Sequence, residues 1–480
     1  MCTIIGRKQE SAELLRHLNS GRAEFIAVYG RRRVGKTFLI TELLRDFMVF
    51  DHTGLSPYDR TRRVTLKDQL LNFYFSLVRH GFEHSVPPRT WMDAFFMLEQ
   101  LLERLDTGMR QVVFIDELPW MDSARSGFLT ALEAFWNGWG NRRHSLCLVV
   151  CGSATSWMLD NLINNKGGLY GRLTAEIQLS PFSLRECEQY LKSRNITLSR
   201  YNVAQAYMIL GGIPFYLSLM NPSYSLAQNI DALFFGPKAK LGDEFERLFN
   251  SIFDHADQCM SIVRTLGRRH SGYTRGEISQ LTGIAPNGEL TKMLKALVGS
   301  EFVMRYKPMS PGHRQEDHYR LTDHFCWFWL HFKERKHVVE QDYWQHHLKE
   351  SEVSSWRGLA FEEVCFRHIR QIKYALQIAG VSSHESAYLV RGDGEQDGLQ
   401  IDLLIDRADD VVNVCEMKFN KTALTVTKAY ASRLAQRLES LERAWPDKTF
   451  VLTLVSAHEA TANEYSEAFA ATVTLDDLFA

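Results

Sequence analysis

The hydrophobic residues of the chain first occur in short continuous runs that alternate with helical patterns. The runs Phe25–Tyr29, Val112–Ile115 and Ser145–Ser153 are dominated by apolar residues, which is typical of buried strands. The elements predicted between the first two runs are a strand at Phe47–His52 and helices at Leu66–His80 and Trp91–Leu105. Strands that alternate with helices predict an α/β domain around a central parallel sheet.

The pattern becomes helical in the middle of the chain. Residues 183–250 have helical spacing, and three short helical patterns follow, of which the last two are Thr274–Gly283 and Asn287–Ser300. Two strand candidates, Phe302–Tyr306 and His318–Leu321, then flank a polar loop that contains Pro and Gly. A helix-turn-helix followed by such a hairpin predicts a winged helix.

The last part of the chain returns to mixed periodicities. It begins with an amphipathic helix at Trp356–Ile369, followed by a strand with a Gly/Asp-rich turn within residues 387–398. An apolar hairpin within Gln400–Phe419, a helix at Lys428–Arg443 and a strand at Lys448–Ser456 complete it. This order of elements predicts a second, smaller α/β unit built around a mixed sheet.

Composition limits the class of protein. The chain has 480 residues, 45% hydrophobic and 24% charged, with a formal net charge of -1. Several globular domains are therefore expected, and nucleic-acid binding must depend on local basic patches. Early charges argue against a secretory signal, and the aromatic cluster Phe325–Phe332 is too short to cross a membrane. The eight cysteines form no CxxC pair, so we expect a cytoplasmic protein with reduced thiols.

The segment Gly30–Thr37 has the spacing of a phosphate-binding loop. It reads GRRRVGKT and joins a strand candidate to a helical pattern, and the backbone N–H groups of such loops point at phosphates. Lys36 is predicted to reach the terminal phosphates of ATP, and the Thr37 hydroxyl to bind Mg²⁺. The residues predicted to contact ATP here are Gly30, Arg31, Arg32, Arg33, Val34, Gly35, Lys36, Thr37 and Phe38. The three arginines could instead contact DNA or a partner domain.

Polar residues at two further strand ends complete the predicted ATPase site. Asp116 is predicted to hold Mg²⁺ together with the loop threonine, and the adjacent Glu117 to polarise the attacking water. Ser153 ends the next strand, where ligands of α/β sheets bind, and is predicted to sense the γ-phosphate. Arg172 is either an arginine finger, in cis or from a neighbouring subunit, or an ordinary surface arginine. An intervening strand and a glutamate after the aspartate favour the P-loop ATPases that have an added central strand.

Charged residues interrupt the apolar hairpin of the C-terminal unit. Glu416 and Lys418 are two residues apart on one strand and therefore share a face, and a short loop can bring Asp402 beside them. Two neighbouring carboxylates repel unless a cation joins them, which predicts a Mg²⁺ site at Asp402 and Glu416, with Mn²⁺ as an alternative ion. Lys418 would hold or activate a nucleophilic water. The alternative is an ordinary hairpin stabilised by salt bridges.

Five motifs together resemble the archaeal-type ATPases, a family of P-loop proteins related to the STAND and AAA+ groups. In chain order they are IIGRKQESAELL, GRRRVGKT, FIDELPWM, CGSATSWM and LGGIPFYL. The resemblance implies that a helical lid follows the ATPase core and that Gly212 and Pro214 position this lid. It also implies a winged helix after the lid and a nuclease-like domain at the C-terminus.

The hairpin charges have the form of the PD-(D/E)XK nuclease core, Asp402-(x13)-Glu416-x-Lys418. By this resemblance, Glu362 on the preceding helix would complete the catalytic group, with Glu363 as the alternative. Many members of the archaeal-type family have an acid where this chain has Gln400, which would weaken a third metal contact.

The predicted fold class is therefore a multidomain α/β protein with four parts. These are a P-loop ATPase core with a central parallel sheet, a helical lid, a winged helix with a linking helix, and a C-terminal domain similar to restriction endonucleases. Their predicted bounds are 1–182, 183–253, 254–335 and 336–480.

These parts predict an ATP-hydrolysing protein whose Mg²⁺-dependent nuclease domain cleaves DNA under nucleotide control, with foreign-DNA defence as a hypothesis from family analogy alone. DNA is the expected partner, and a homo-oligomer or a protein partner also fits. Residues 261–320 hold ten Lys/Arg against five Asp/Glu, and the candidate DNA contacts are Lys292, Lys295, Arg305, Lys307 and Arg314. Two alternatives stay open: an ATPase switch whose nuclease fold binds without cleaving, and a nucleotide-gated scaffold without DNA contact.

Overall fold

The computed structural model describes most of the chain as two compact units. The described residues are 4–56, 62–83, 86–164, 167–253, 255–309, 316–334, 342–390 and 399–480, without the side chains of residues 389, 390, 399, 400 and 402. One unit consists of Met1–Pro181 with Leu248–Ala256, and the other of Phe182–Arg247 with Asp257–Ala480. Within these described ranges, no helix has the length and hydropathy needed to cross a membrane.

A five-stranded parallel sheet forms the centre of the first unit. Its strands are β1 (Glu24–Tyr29), β2 (Met48–Thr53), β3 (Gln111–Asp116), β4 (Leu146–Gly152) and β5 (Ala175–Gln178). Their spatial order is β2-β3-β4-β1-β5, and all neighbours are parallel. The predicted central parallel sheet is confirmed, and β4 lies between the loop strand β1 and the acidic strand β3. Every residue of β3 and β4 is buried, as expected for strands covered on both faces.

Helices flank this sheet. They are α1 (Lys8–Leu18), α2 (Lys36–Leu44), α3 (Leu66–Arg79), α4 (Trp91–Arg104), α5 (Phe128–Gly138) and α6 (Thr155–Trp157). Thr65 and Thr90 begin α3 and α4 with capping boxes, in which the threonine oxygen accepts an N–H bond that the helix end would otherwise leave unmade. Aromatic residues such as Phe73, Trp91 and Phe95 fill the core beside the sheet, so burial of their rings stabilises the unit that carries the loop.

The second unit begins with a group of helices. They are α7 (Leu184–Ser193), α8 (Arg200–Leu210), α9 (Pro214–Ser218) and α10 (Leu226–Ile230), followed by α11 (Glu244–Asn250), whose last three residues belong to the first unit. These helices confirm the predicted helical spacing. Gly212, between α8 and α9, has φ +65°, and a Cβ there would lie 2.4 Å from Phe182 O. The Phe182 N–H also donates to Gly212 O at 2.8 Å. A larger residue at position 212 would therefore break this junction.

The next segment combines short helices with a small antiparallel sheet. Its elements are α12 (Ala256–Leu266), β6 (Tyr273–Thr274), α13 (Arg275–Thr282), α14 (Gly288–Gly299), β7 (Val303–Tyr306), β8 (His318–Leu321), α15 (His324–Phe328) and α16 (Tyr343–His347). The strands have the order β6-β8-β7. Thr274 caps α13 and Asn287 caps α14, so the polar residues before each helix define its start. The aromatic cluster Phe325–Phe332 is helical and mostly buried, so it packs in the protein interior.

The C-terminal segment contains a second five-stranded sheet. Its elements are α17 (Ser351–Arg367), α18 (Ile369–Ala375), β9 (Ser383–Val390), β10 (Leu399–Arg407), β11 (Val411–Lys418), α19 (Lys428–Ala444), β12 (Thr449–Ser456) and β13 (Ala471–Thr474). The order is β13-β12-β11-β10-β9, antiparallel from β9 to β11 and parallel from β11 to β13. Val412 and Val414 of β11 form a core with Leu434 and Leu441 of α19. The predicted mixed sheet is present, with α19 on the face of β11 that carries Glu416.

Candidate functional sites

The loop between β1 and α2 requires glycine at its first position. Gly30 has φ +137°, and a Cβ there would lie 2.2 Å from Leu179 O, which excludes any side chain. Gly35 has φ +92° and directly precedes α2. The loop therefore ends at a helix N-terminus, where free N–H groups and the helix dipole favour an anion such as phosphate.

Lys36 and Thr37 open α2 and already contact polar groups of the loop and of β3. Lys36 is buried, and its Nζ donates hydrogen bonds to Gly30 O at 2.8 Å and to Arg31 O at 3.0 Å. Thr37 Oγ1 donates to Asp116 Oδ2 at 2.7 Å. The structure thus brings together the two residues predicted to bind Mg²⁺, and oxygen ligands of this kind suit that ion.

Glu117 and Ser153 meet at the carboxyl ends of β3 and β4. Ser153 Oγ lies 2.7 Å from both carboxylate oxygens of Glu117, and the Ser153 N–H donates to Oε2 at 3.2 Å. Glu117 has φ 49°, a conformation that a non-glycine residue adopts only at a cost. Its N–H donates to Asp116 Oδ1 at 2.9 Å. The acids and the serine therefore form one group at the sheet edge next to the loop.

The three loop arginines have different environments. Arg31 is almost completely buried, which leaves it no access to DNA in this arrangement. The Arg32 guanidinium lies 5.7 Å from the centroid of the Trp120 ring, within the range of a cation–π contact. Arg33 has φ 74°, so it forms part of the tight backbone turn. Only the last two have the exposure needed to meet a large ligand.

Three residues near the phosphate-binding loop, Arg7, Phe38 and Arg172, differ in their contacts with it. Arg7 Nη2 donates to Val34 O at 3.1 Å and thereby supports the loop from the N-terminal segment. Phe38 is 46% exposed on α2. Arg172 precedes β5 with an exposed side chain, and no partner for that side chain occurs among the described residues. Its position favours neither of its two predicted interpretations.

At the C-terminal hairpin, Glu416 is the centre of a charged cluster. Its Oε1 lies 2.7 Å from Lys418 Nζ and accepts a hydrogen bond from Tyr430 Oη at 2.7 Å. Arg437 Nη1 donates to Oε2 at 3.1 Å. The structure therefore confirms the prediction that Glu416 and Lys418 share a face, and it adds two partners from α19. We call Glu416, Lys418, Tyr430 and Arg437 the Glu416 cluster.

The electrostatics of the cluster favour an ionised Glu416. Burial alone would raise the pKa of Glu416, but Lys418, Tyr430 and Arg437 outweigh it, so that the pKa is lowered. Burial and the neighbouring carboxylate raise the pKa of Tyr430, which keeps its hydroxyl a hydrogen-bond donor. An ionised carboxylate beside a lysine can bind a divalent cation or, without one, form a salt-bridged pair.

The other two predicted members of this group have different outcomes. The side chain of Asp402 lies outside those that the structure describes. In the β10–β11 ladder, Leu403 pairs with Cys415. Asp402 directly precedes this pair on β10, and Glu416 directly follows it on β11. Among the described contacts of Glu362, its Oε2 lies 3.3 Å from His270 Nδ1. Over the described part of the chain, no three His, Cys, Asp or Glu side chains form a group that could hold a metal ion.

The residues on either side of Glu362 in α17 also have described contacts. The adjacent Phe361 packs against Phe419, the residue that follows β11, with ring centroids 5.1 Å apart. Glu363, the next residue of α17, pairs with the buried Arg320 of β8 at 3.1 Å. The acids of α17 thus tie this helix to the small antiparallel sheet.

Part of the basic excess in residues 261–320 is neutralised internally. Arg264 pairs with Glu334 and Arg269 with Glu277. The basic residues with exposed side chains, including four of the five candidate DNA contacts, are Arg268, Lys292, Lys295, Arg305 and Lys307. The fifth candidate, Arg314, lies outside the described residues. Among the described residues, these exposed side chains are therefore the ones placed to contact phosphate.

Sequence reasoning missed the α19 residues of the Glu416 cluster. Tyr430, Leu434, Arg437 and Leu441 follow one another at intervals of four, three and four residues, which places them on one helix face. An arginine and a tyrosine inside an otherwise apolar stripe were the available signal, because such residues require buried partners.

Comparison with known proteins identifies the first part of the chain. Residues 5–220 match a family described as an ATPase domain predominantly from Archaea. An uncharacterized protein of Methanocaldococcus jannaschii is 21% identical over 368 residues, covering 75% of this chain and 76% of that protein. An uncharacterized ATP-binding protein of the same organism is 48% identical over 43 residues, covering 9% of this chain and 73% of that protein.

Among solved structures, the chain is similar to a Walker-type ATPase of Pyrococcus abyssi. The two are 18% identical, with a TM-score of 0.47, and the match covers 68% of this chain and 96% of the other. The family match includes the phosphate-binding loop, the acidic strand end and Ser153. Through residues 5–220 the chain belongs to the archaeal-type family of P-loop ATPases, which bind nucleotide, typically with Mg²⁺.

Proposed function

We propose that this ATPase controls a metal-dependent DNA endonuclease site in its own C-terminal segment. The observation that carries the second half of this proposal is the 2.7 Å contact between Glu416 and Lys418, at the end of a strand whose hairpin partner carries Asp402. A carboxylate and a lysine on one face of such a strand match the chemistry of phosphodiester cleavage.

In the ATPase site, the proposed roles follow from the contacts. Lys36 leaves the two loop carbonyls and binds the terminal phosphates, and Thr37 and Asp116 hold Mg²⁺. Glu117 orients the attacking water, while Ser153, its hydrogen-bond partner, reports the presence of the γ-phosphate. Arg172 is available as an arginine finger from its exposed position.

In the nuclease site, Asp402 and Glu416 would hold Mg²⁺ or Mn²⁺. A divalent ion there supplies Lewis-acid stabilisation of the phosphodiester. Lys418 orients the nucleophilic water and stabilises negative charge. Glu362 is proposed to support the site from α17, where its carboxylate also lies 3.3 Å from His270 Nδ1.

The segment between the helices and α17 is proposed to be a winged helix. Support comes from α13 and α14, which a short turn joins, and from the antiparallel strands that follow. The exposed Lys292, Lys295, Arg305 and Lys307 are the proposed phosphate contacts. The ion pair of Arg320 with Glu363 then links this segment to the proposed nuclease domain.

The test is DNA cleavage by the purified chain in Mg²⁺ or Mn²⁺. Wild type should nick or linearise plasmid, and Asp402→Ala should lower the rate by about 10³-fold, because metal-derived stabilisation is worth several kcal/mol. Asp409→Ala is the matched control, since Asp409 lies on the exposed hairpin turn and pairs with Arg407. Intact DNA under all conditions with wild type, or equal cleavage by Asp402→Ala, would contradict the nuclease proposal.

A second candidate function is an ATPase switch whose nuclease fold binds DNA or a protein without cutting. One observation favours it: both oxygens of Glu416 already have partners in Lys418, Tyr430 and Arg437. A carboxylate neutralised in this way can serve as a structural ion pair. Specific DNA binding by wild type without any cleavage would favour this candidate.

A further inference from the structure

The Glu416 cluster contains one more cation than metal binding needs. Lys418 and Arg437 both face the same carboxylate, and a divalent ion there would add two further positive charges. Like charges so close repel each other in a partly buried site. One of the two basic side chains must therefore yield when a metal binds.

The geometry distinguishes the two oxygens of Glu416. Oε1 has two partners, Tyr430 Oη and Lys418 Nζ, each at 2.7 Å, which use its two lone pairs. Among the described side chains, Oε2 has the single partner Arg437 Nη1 at 3.1 Å. Oε2 is therefore the oxygen with a free lone pair and the longer contact.

The side chains of Tyr430 and Arg437, both on α19, also differ in their exposure to solvent. The Tyr430 ring is partly buried against the core of this sheet, and its hydroxyl donates to the carboxylate. The Arg437 side chain is 39% exposed, whereas Glu416 is 11% exposed. A long, partly exposed arginine can turn its guanidinium into water while its stem stays on the helix surface.

We propose that Arg437 is an exchangeable counter-ion: it neutralises Glu416 in the metal-free protein and yields Oε2 to a divalent cation. Tyr430 remains on Oε1 and keeps the carboxylate oriented. Arg437 is thus a positioning residue that makes metal binding weaker than the carboxylates alone would allow. The inference rests on the proposed metal-dependent nuclease and concerns how that site is kept inactive without metal.

The test is Mn²⁺ binding to the nucleotide-free full chain, measured by calorimetry and by electron paramagnetic resonance of free Mn²⁺. Glu416→Gln identifies the relevant site as the one it removes. Arg437→Gln should bind Mn²⁺ there about 10-fold more tightly, the lower end of the effect of one neighbouring charge on an ionisation equilibrium. Arg437→Lys retains the charge and should bind nearly as wild type does.

Arg443→Gln is the matched control, because Arg443 lies on the same helix in an exposed pair with Glu439. It should leave Mn²⁺ affinity unchanged, and thermal unfolding should show that all variants are folded. Equal or weaker binding by Arg437→Gln than by wild type overturns the counter-ion inference and leaves the nuclease proposal standing. Absence of any Glu416-dependent Mn²⁺ binding overturns both.

Discussion

Lys36→Ala is expected to lower ATP turnover by about 10²–10³-fold, the usual effect of removing one preorganised charge from a transition state. Lys36 is the buried first residue of α2, and its Nζ donates hydrogen bonds to two loop carbonyl oxygens. No other described lysine occupies this position, so none can replace its charge. Turnover is measured by phosphate release with the full chain. Lys67→Ala is the matched control, because Lys67 is an exposed lysine on α3 in the same unit.

Glu117→Gln separates binding from hydrolysis in the same assay. Gln keeps the size of the side chain and a hydrogen bond with Ser153, but it cannot polarise water as a carboxylate does. We expect nucleotide affinity near that of wild type and a turnover loss similar to that of Lys36→Ala. Normal turnover in either variant would contradict the assignment of this group as the hydrolytic site.

Lys418→Met is expected to lower DNA cleavage by about 10²–10³-fold while Mn²⁺ binding persists. The reason is that Lys418 contributes a charge at the reacting phosphate but is not itself a metal ligand. Removing its charge from Glu416 should leave metal affinity unchanged or higher. Cleavage is followed by plasmid nicking and Mn²⁺ binding by calorimetry, so the two effects are read separately.

The matched control for this variant is Lys421→Met, an exposed lysine just beyond β11. It should cleave as wild type does. If Lys418→Met loses metal binding together with cleavage, the lysine acts through the structure of the cluster. If it loses neither, Lys418 has no role in the chemistry.

The fold was largely predictable because its strongest patterns are local. The glycine-bounded loop, the buried strand before Asp116 and the two helices opened by threonine caps are each read from neighbouring residues. The short strands β5 and β13 were missed, because four-residue strands have little periodicity and are selected by their neighbours in the sheet.

The two sites were predictable only where the spacing of residues along one strand or loop determines how close their side chains lie. Strand alternation was sufficient to place Glu416 beside Lys418, and the P-loop spacing to bring Lys36 to the head of a helix. The pairing of Glu362 with His270 was not predictable, because it joins residues 92 positions apart on separate elements. The contact of Arg437 with Glu416 likewise depends on how α19 packs on the sheet.

The central claim is that one chain couples ATP to DNA cleavage. Its most direct test is the ratio of plasmid cleavage rates with and without ATP, in Mg²⁺, for wild type and Lys36→Ala. We expect wild type to show a ratio that differs from one by about 10-fold, within the usual range of coupling between two sites, and Lys36→Ala to show a ratio of one. Cleavage by wild type that does not respond to ATP, or an equal response in Lys36→Ala, would contradict nucleotide control.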